Sequence, residues 1–129
     1  MNKIFRAGAI GRTGRGNYGH NLDMAYDGLD NVEFVSVSDP DPKGLLASAN
    51  RTKAQRTYSD YREMLEKEDL DLVSVCPRWL DCHEEMVIAC AESGVKGILC
   101  EKPLARTLSE ADKMIDICES KGVRLAVAY

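Results

Sequence analysis

Short apolar runs, each followed by a longer stretch with helical spacing, set the tightest limit on how this chain can fold. Runs of strand length fall at residues 4–10, 32–38, 72–76, 97–100 and 124–128, with a weaker one at 55–58. They are mostly apolar and do not alternate cleanly with polar residues, the pattern of a parallel sheet covered on both faces. The intervening stretches predict helices. Residues 17–28 carry Leu22, Ala25 and Tyr26 and stop at Gly28. Residues 43–50 predict a short helix and 61–67 another, with Ser59 or Asp60 as cap and Glu63 giving a capping-box pattern. Asp81 is placed to cap a helix that runs through Ser93 and ends at Gly94. In the last helix Leu108, Ala111, Ile115 and Cys118 form one apolar stripe, and Gly122 terminates it. Alternation of this kind implies right-handed crossovers and an α/β fold, a doubly wound parallel sheet in three αβα layers.

At 129 residues the chain is read as one domain. Seventeen basic against 21 acidic residues leave a net charge of −4, which argues against a nucleic-acid partner. No apolar stretch approaches the ~18 residues of a membrane helix. Met1-Asn2-Lys3-Ile4 leads into a run too short for a signal peptide, so the expected location is the cytoplasm. Five cysteines without a Cys-x-x-Cys spacing indicate neither a disulfide framework nor a metal site, and they read as buried thiols. Tyr129 falls at the end of the last predicted strand, on the ligand side of the sheet. The expectation is a fragment that supplies one wall of a cleft and is inactive alone; a self-contained binding protein is the alternative.

The first run breaks into Gly11-Arg12-Thr13-Gly14-Arg15-Gly16. Two registers fit a phosphate-binding turn: Gly11-x-Thr13-x-x-Gly16 at the strand end, or Gly14-x-Gly16-x-x-Gly19 three residues on. Small residues let the backbone approach a pyrophosphate, a following helix N-terminus offers free N–H groups, and Arg12 and Arg15 add charge. Asp39 closes the second run, about 20 residues past the glycines, where a carboxylate can accept both ribose hydroxyls of an adenosine. A 2′-phosphate would meet that charge, so Asp39 favours NAD over NADP. Asp-Pro-Asp-Pro is also a turn composition. Pro77 ends the Val75-Cys76-Pro77 stretch and would border the cofactor near its central ribose. His83 can reach the cleft from a first helical turn, or cap and pack there. His20 reads as structural. Glu101-Lys102-Pro103 leaves the fourth strong run. A lysine at that edge can hydrogen-bond a substrate hydroxyl or carbonyl and take part in proton transfer. Pro103 restricts Lys102 to non-helical backbone, with a cis bond open to it. Glu101 can pair with Lys102 or meet the cofactor edge.

Taken together, these residues resemble the Gfo/Idh/MocA family of NAD(P)-dependent oxidoreductases. The glycine turn, Ser38-Asp39-Pro40, Tyr58-Ser59-Asp60-Tyr61, Asp71-Leu72-Val73-Ser74-Val75 and above all Glu101-Lys102-Pro103-Leu104-Ala105 carry the resemblance. It covers essentially the whole chain but only the N-terminal domain of the family. It implies a Rossmann dinucleotide-binding domain followed by an α/β domain that forms the substrate pocket and usually a homo-oligomer interface. It also implies sugar, inositol or related polyol substrates, Lys102 in substrate binding and catalysis, and an acid/base partner from the second domain. Thr13 departs from the usual second glycine, residues 15–19 look one residue long, and Arg78-Trp79 replaces a more usual Asn. The alternative is a dinucleotide-binding regulator without turnover; a CoA-binding module is disfavoured by Asp39.

Overall fold

The computed structural model describes residues 3–128. Six strands form one wholly parallel sheet: β1 (Phe5–Ile10), β2 (Val32–Ser38), β3 (Arg56–Tyr58), β4 (Leu72–Val75), β5 (Gly97–Cys100) and β6 (Arg124–Val127), in the order β3-β2-β1-β4-β5-β6. All six predicted runs are strands, and the doubly wound topology is the observed one. Tyr129 and Met1-Asn2, which entered the expectations about the chain's ends, lie outside the described residues.

Four α-helices accompany the sheet: α1 (Pro42–Thr52), α2 (Tyr61–Lys67), α3 (His83–Glu92) and α4 (Leu108–Lys121). Successive strand residues point to opposite faces, so the core divides in two. Ile10, Val73, Val75, Ile98 and Cys100 join Met64, Met86, Val87 and Met114 from the helices. Ala9 and Val37 join Tyr18, Leu22 and Cys76, with Leu45, Ala49 and Leu99 packed against them. All five cysteines are free and buried. Burial pushes the Cys100 thiol up to about 12, so it stays protonated and packs as a small hydrophobe.

Three expectations are corrected. Residues 17–28 do not form an α-helix; they hold turns and one 3-10 turn, Leu22–Met24. Asn17, Gly19 and Asn21 take φ of 52°, 61° and 61°, left-handed backbone that Asn and Gly tolerate and that breaks a helical ladder. Asp81 does not cap α3, which follows a 3-10 turn, Leu80–Cys82, with no side-chain cap. The apolar stripe of α4 is displaced: Met114 and Cys118 are buried, whereas Leu108 is 85% exposed and Ile115 40%. Leu108 opens the helix, before α4 has come down onto the sheet. Asp60, one of the two caps offered for α2, accepts from Arg62 N, and α1 has a cap that was not foreseen, Asp41 accepting from Gly44 N. Among the described residues no helix is long and apolar enough to cross a membrane.

Candidate functional site

Strand order reverses at the β1/β4 boundary, and in an open α/β sheet ligands bind outside the carboxyl ends of the strands at that point. Residues 11–21 leave β1 there. Arg12 and Asn17 pair backbone to backbone and close the turn, and Gly14 N donates to Asn17 Oδ1 at 2.9 Å. Gly16 (φ 96°) lies against the backbone of Arg78 and Trp79, and Gly19 (φ 61°) against Cys76 O and the Glu101 carboxylate. A Cβ would clash at either, so both are close-approach glycines. They bring the turn down onto the loop that follows β4, where Arg78 N donates to Gly16 O and the Arg78 guanidinium to Gly19 O. Gly11 N donates to Ser38 O at 2.9 Å, and the Tyr18 ring lies over Gly11. No helix N-terminus follows the turn, so its backbone N–H groups, with Arg12 and Arg15, are what remains for a phosphate.

Asp39 is where the sequence places it, at the end of β2, but its carboxylate is already engaged and only 1% exposed. Oδ2 accepts from Thr13 Oγ1 at 2.6 Å and Tyr18 OH at 2.9 Å, and Oδ1 from Thr13 N at 3.2 Å and Asp41 N at 2.9 Å. Burial and the Asp39 charge push the Tyr18 hydroxyl far up, which keeps it a donor. Thr13, standing where a fingerprint glycine is usual, is thus a tether between the glycine turn and β2. The expectation of a free ribose acceptor is corrected: Asp39 holds the turn, and a ribose hydroxyl reaches it only in exchange for one of these donors.

Beside Asp39 lies a cavity of about 430 Å³, lined by Gly11, Arg12, Ser38, Ser59, Asp60 and Tyr61 among others. Ser38 Oγ is buried there without a hydrogen-bond partner. A nucleoside-sized space with an unsatisfied hydroxyl at the ends of β1 and β2 fits the adenosine half of NAD. Three acidic residues, Asp39, Asp60 and Glu85, and one basic residue, Arg12, line it.

On the other side of the switch point, Glu101, Lys102 and Pro103 leave β5. Glu101 is fully buried. It accepts from His20 N at 2.6 Å and Lys102 N at 3.1 Å, and meets His20 Nδ1 at 2.9 Å. Burial raises its pKa, but the hydrogen bonds from His20 and Lys102 outweigh that and hold it below the usual carboxylate range. Glu101 therefore fastens the Lys102 backbone to the glycine turn, and His20 is its structural partner. Lys102 itself is exposed, and its bond to Pro103 is cis. His83 does not face the cleft. Its ring is 0% exposed, with Nε2 2.6 Å from Pro77 O and Nδ1 3.0 Å from Leu104 O. Pro77 is buried, its carbonyl oxygen taken by His83 and its backbone lying against Gly16. At the rim the Arg15 guanidinium lies 5.2 Å from the centre of the half-exposed Trp79 ring.

The structure thus brings Gly11 and Thr13 together with Asp39 at the end of β2, sets Gly16 against Pro77 in the loop after β4, and places Glu101 and Lys102 after β5. Tyr18 and Ser38 were not singled out as site residues. Tyr18 carries no motif, and only a fold that returns residue 18 to β2 reveals it.

Residues 5–129 match the Gfo/Idh/MocA family profile, described as an oxidoreductase family with an NAD-binding Rossmann fold. D-apiose dehydrogenase of Paraburkholderia graminis is 35% identical over 97% of this chain and 32% of its own length. Myo-inositol 2-dehydrogenase of Thermotoga maritima is 32% identical over 93% of the chain and 35% of its own. The chain thus spans about a third of the curated relatives it matches. The WlbA dehydrogenase of Bordetella pertussis, solved with NADH and UDP-GlcNAcA, superposes with a TM-score of 0.80 at 27% identity, over 98% of this chain and 37% of that one. With a β3-β2-β1-β4-β5-β6 parallel sheet and a profile match across the described core, the chain belongs to the Gfo/Idh/MocA oxidoreductases and carries their NAD-binding Rossmann domain.

Proposed function

We propose that residues 1–129 are the cofactor-binding domain of an NAD-dependent dehydrogenase acting on a sugar or cyclic polyol, with Lys102 as the catalytic residue of this domain. The carrying observation is an exposed lysine on a fixed backbone: Glu101 is buried and holds Lys102 N, while the Lys102 side chain stands at the ligand edge of β5. Bound NAD supplies the hydride acceptor. The adenosine belongs in the cavity beside Asp39 and Ser38, the glycine turn with Arg12 and Arg15 meets the pyrophosphate, and the Lys102 ammonium donates a hydrogen bond to the substrate oxygen and stabilises the developing alkoxide, the proton leaving to the acid/base partner. Names of relatives that include apiose and myo-inositol dehydrogenases support a polyol class. The remaining pocket wall, an acid/base partner and a homo-oligomer interface would come from further chain. Five free buried thiols suit the reducing cytoplasm.

The test is Lys102→Met in the full-length protein, with NAD affinity and kcat measured separately. General acid–base contributions are typically worth ~10²–10⁴ in rate, so kcat should fall by about that factor with NAD affinity nearly unchanged. Near-normal kcat would end the catalytic reading, and loss of NAD affinity with kcat intact would reassign Lys102 to the cofactor. In the same titrations NADP should bind more weakly than NAD; equal or tighter NADP binding would remove the argument from the acidic residues that line the cavity.

A further inference from the structure

We infer that His83 is a positioning residue, a pin across the cleft floor that fixes the loop carrying Lys102. This rests on the reading of Lys102 given above. The ring stands at the start of α3, fully buried, between two carbonyls from different loops. Pro77 lies two residues past the end of β4, in the loop that also seats the glycine turn. Leu104 lies two residues past Lys102, beyond the cis bond to Pro103. His83 Nε2 meets Pro77 O at 2.6 Å and Nδ1 meets Leu104 O at 3.0 Å. One imidazole therefore ties the loop after β4 to the loop after β5.

The chemistry of the two acceptors explains why a ring with two nitrogens stands there. A carbonyl only accepts, so a neutral ring donates to one of the two, and only the imidazolium, with a proton on each nitrogen, donates to both; in either form one flat, rigid ring spans the two loops. Buried carbonyls left without a donor are unfavourable, so the loops hold their places as long as the ring does. Glu101 clamps the backbone on the near side of Lys102 through Lys102 N, and His83 clamps the far side through Leu104 O. Between these two fixed points the lysine backbone has little freedom, and its ammonium is delivered to one place. Misplacing a reacting group by about 1 Å can lower a rate by roughly 10²-fold.

In the full-length protein, His83→Phe keeps the ring volume and removes both nitrogens, and His83→Gln keeps one NH₂ donor. Hydrogen exchange at residues 104–107 should rise about tenfold or more in His83→Phe, while the β1 and β2 amides stay within about twofold, the mark of a local opening. The same variant should lose at least about tenfold in kcat with NAD affinity nearly unchanged, and His83→Gln should recover part of both losses. Unchanged exchange at 104–107, or a uniform rise through every strand, would overturn the pin. Lys102→Met, run alongside, separates this inference from the functional reading. Turnover lost in Lys102→Met but intact in His83→Phe overturns the positioning role. Turnover intact in Lys102→Met refutes the catalytic reading, and the exchange data alone then decide for or against the pin.

Discussion

The connection leaving β1 and the connection leaving β5 start at the same edge of the sheet, and each delivers the chain to the next parallel strand. They are built differently. From β5, the chain crosses a short loop with two long-range ties, Glu101 to His20 and Leu104 O to the His83 ring, and then enters a helix defined by contacts a few residues apart: Thr107 Oγ1 accepts from Glu110 N, Arg106 pairs with Glu110, and Gly122 closes the helix in left-handed backbone. From β1, the chain forms no α-helix and is held by side chains that reach far along the sequence. Tyr18 donates to Asp39, His20 meets Glu101, Asp23 accepts from Ser48 and Arg51, and Tyr26 meets Ser74. A helix meets its backbone polar groups internally and can be encoded locally. A segment that gives up the helix needs partners from elsewhere, and here they come from α1 (Ser48 and Arg51), from β4 (Ser74) and, at the site itself, from the ends of β2 and β5 (Asp39 and Glu101). The glycine turn is shaped by the same residues that frame the cleft.

The largest effect that tests this contrast is expected at Gly19. An alanine there would hold φ near 61°, about 1–2 kcal/mol unfavourable for an L-residue. It would also push its Cβ into Cys76 O and the Glu101 carboxylate, and overpacking of that kind typically adds about 1–3 kcal/mol. Gly19→Ala should therefore destabilise the domain by about 3 kcal/mol in urea unfolding and weaken NAD binding with it. A variant of normal stability would mean that the turn can lift off β4 freely, and the close packing would not matter.

Glu101 gives a smaller effect with a pH signature. Its carboxyl is held below the ordinary range, so its contribution is fully present above the unfolded-state value of about 4.3 and is lost as pH falls through the lower folded value. Glu101→Gln should be less stable by about 1.5–3 kcal/mol at pH 7, the range for hydrogen bonds to a charged group. That difference should begin to shrink as pH falls through about 4.3, where the unfolded chain takes up its proton, and should close only below the lower folded value, where the native carboxyl is itself protonated. A gap between the two proteins that stays constant from pH 7 to pH 3 would show that charge is not what ties His20 to Lys102.

The same contrast marks what could be read from the sequence. Five strands were legible because each is a compact, mostly apolar run, whereas β3, Arg-Thr-Tyr, gave only a weak signal; α4 was legible because a helical period and Gly122 are local signals. The failure at residues 17–28 has a physical cause: Leu22, Ala25 and Tyr26 have helical spacing, but Asn17, Gly19 and Asn21 take left-handed backbone, and long-range hydrogen bonds decide between them. In the site, Lys102 and the glycines were visible as motifs. Asp39 stands at the end of β2 as read, and of the two roles open to His83, in the cleft or in packing, packing is the observed one; a sequence does not show that Thr13 and Tyr18 take the carboxylate or that two carbonyls flank the imidazole. In α4 the stripe was misplaced by the face toward Met114, since Leu108 satisfies the period while lying outside the packed part of the helix.

The smallest expected effect probes the locally built connection. Thr107 precedes α4 in extended backbone, and its hydroxyl accepts from Glu110 N at 3.1 Å, satisfying one of the open donors of the first turn. Removing such a cap typically costs about 1 kcal/mol. Thr107→Ala should thus lower the urea midpoint modestly, with hydrogen exchange faster in the first turn of α4 and unchanged at Tyr18, His20 and Leu22. NAD affinity should not move, because no bond between the two connections runs through Thr107: they meet at Glu101, which contacts His20 and Lys102 instead. If Thr107→Ala loosened residues 18–22 or weakened NAD binding, α4 would be part of the same tertiary network as the glycine turn, and the division between a local and a long-range connection would fail.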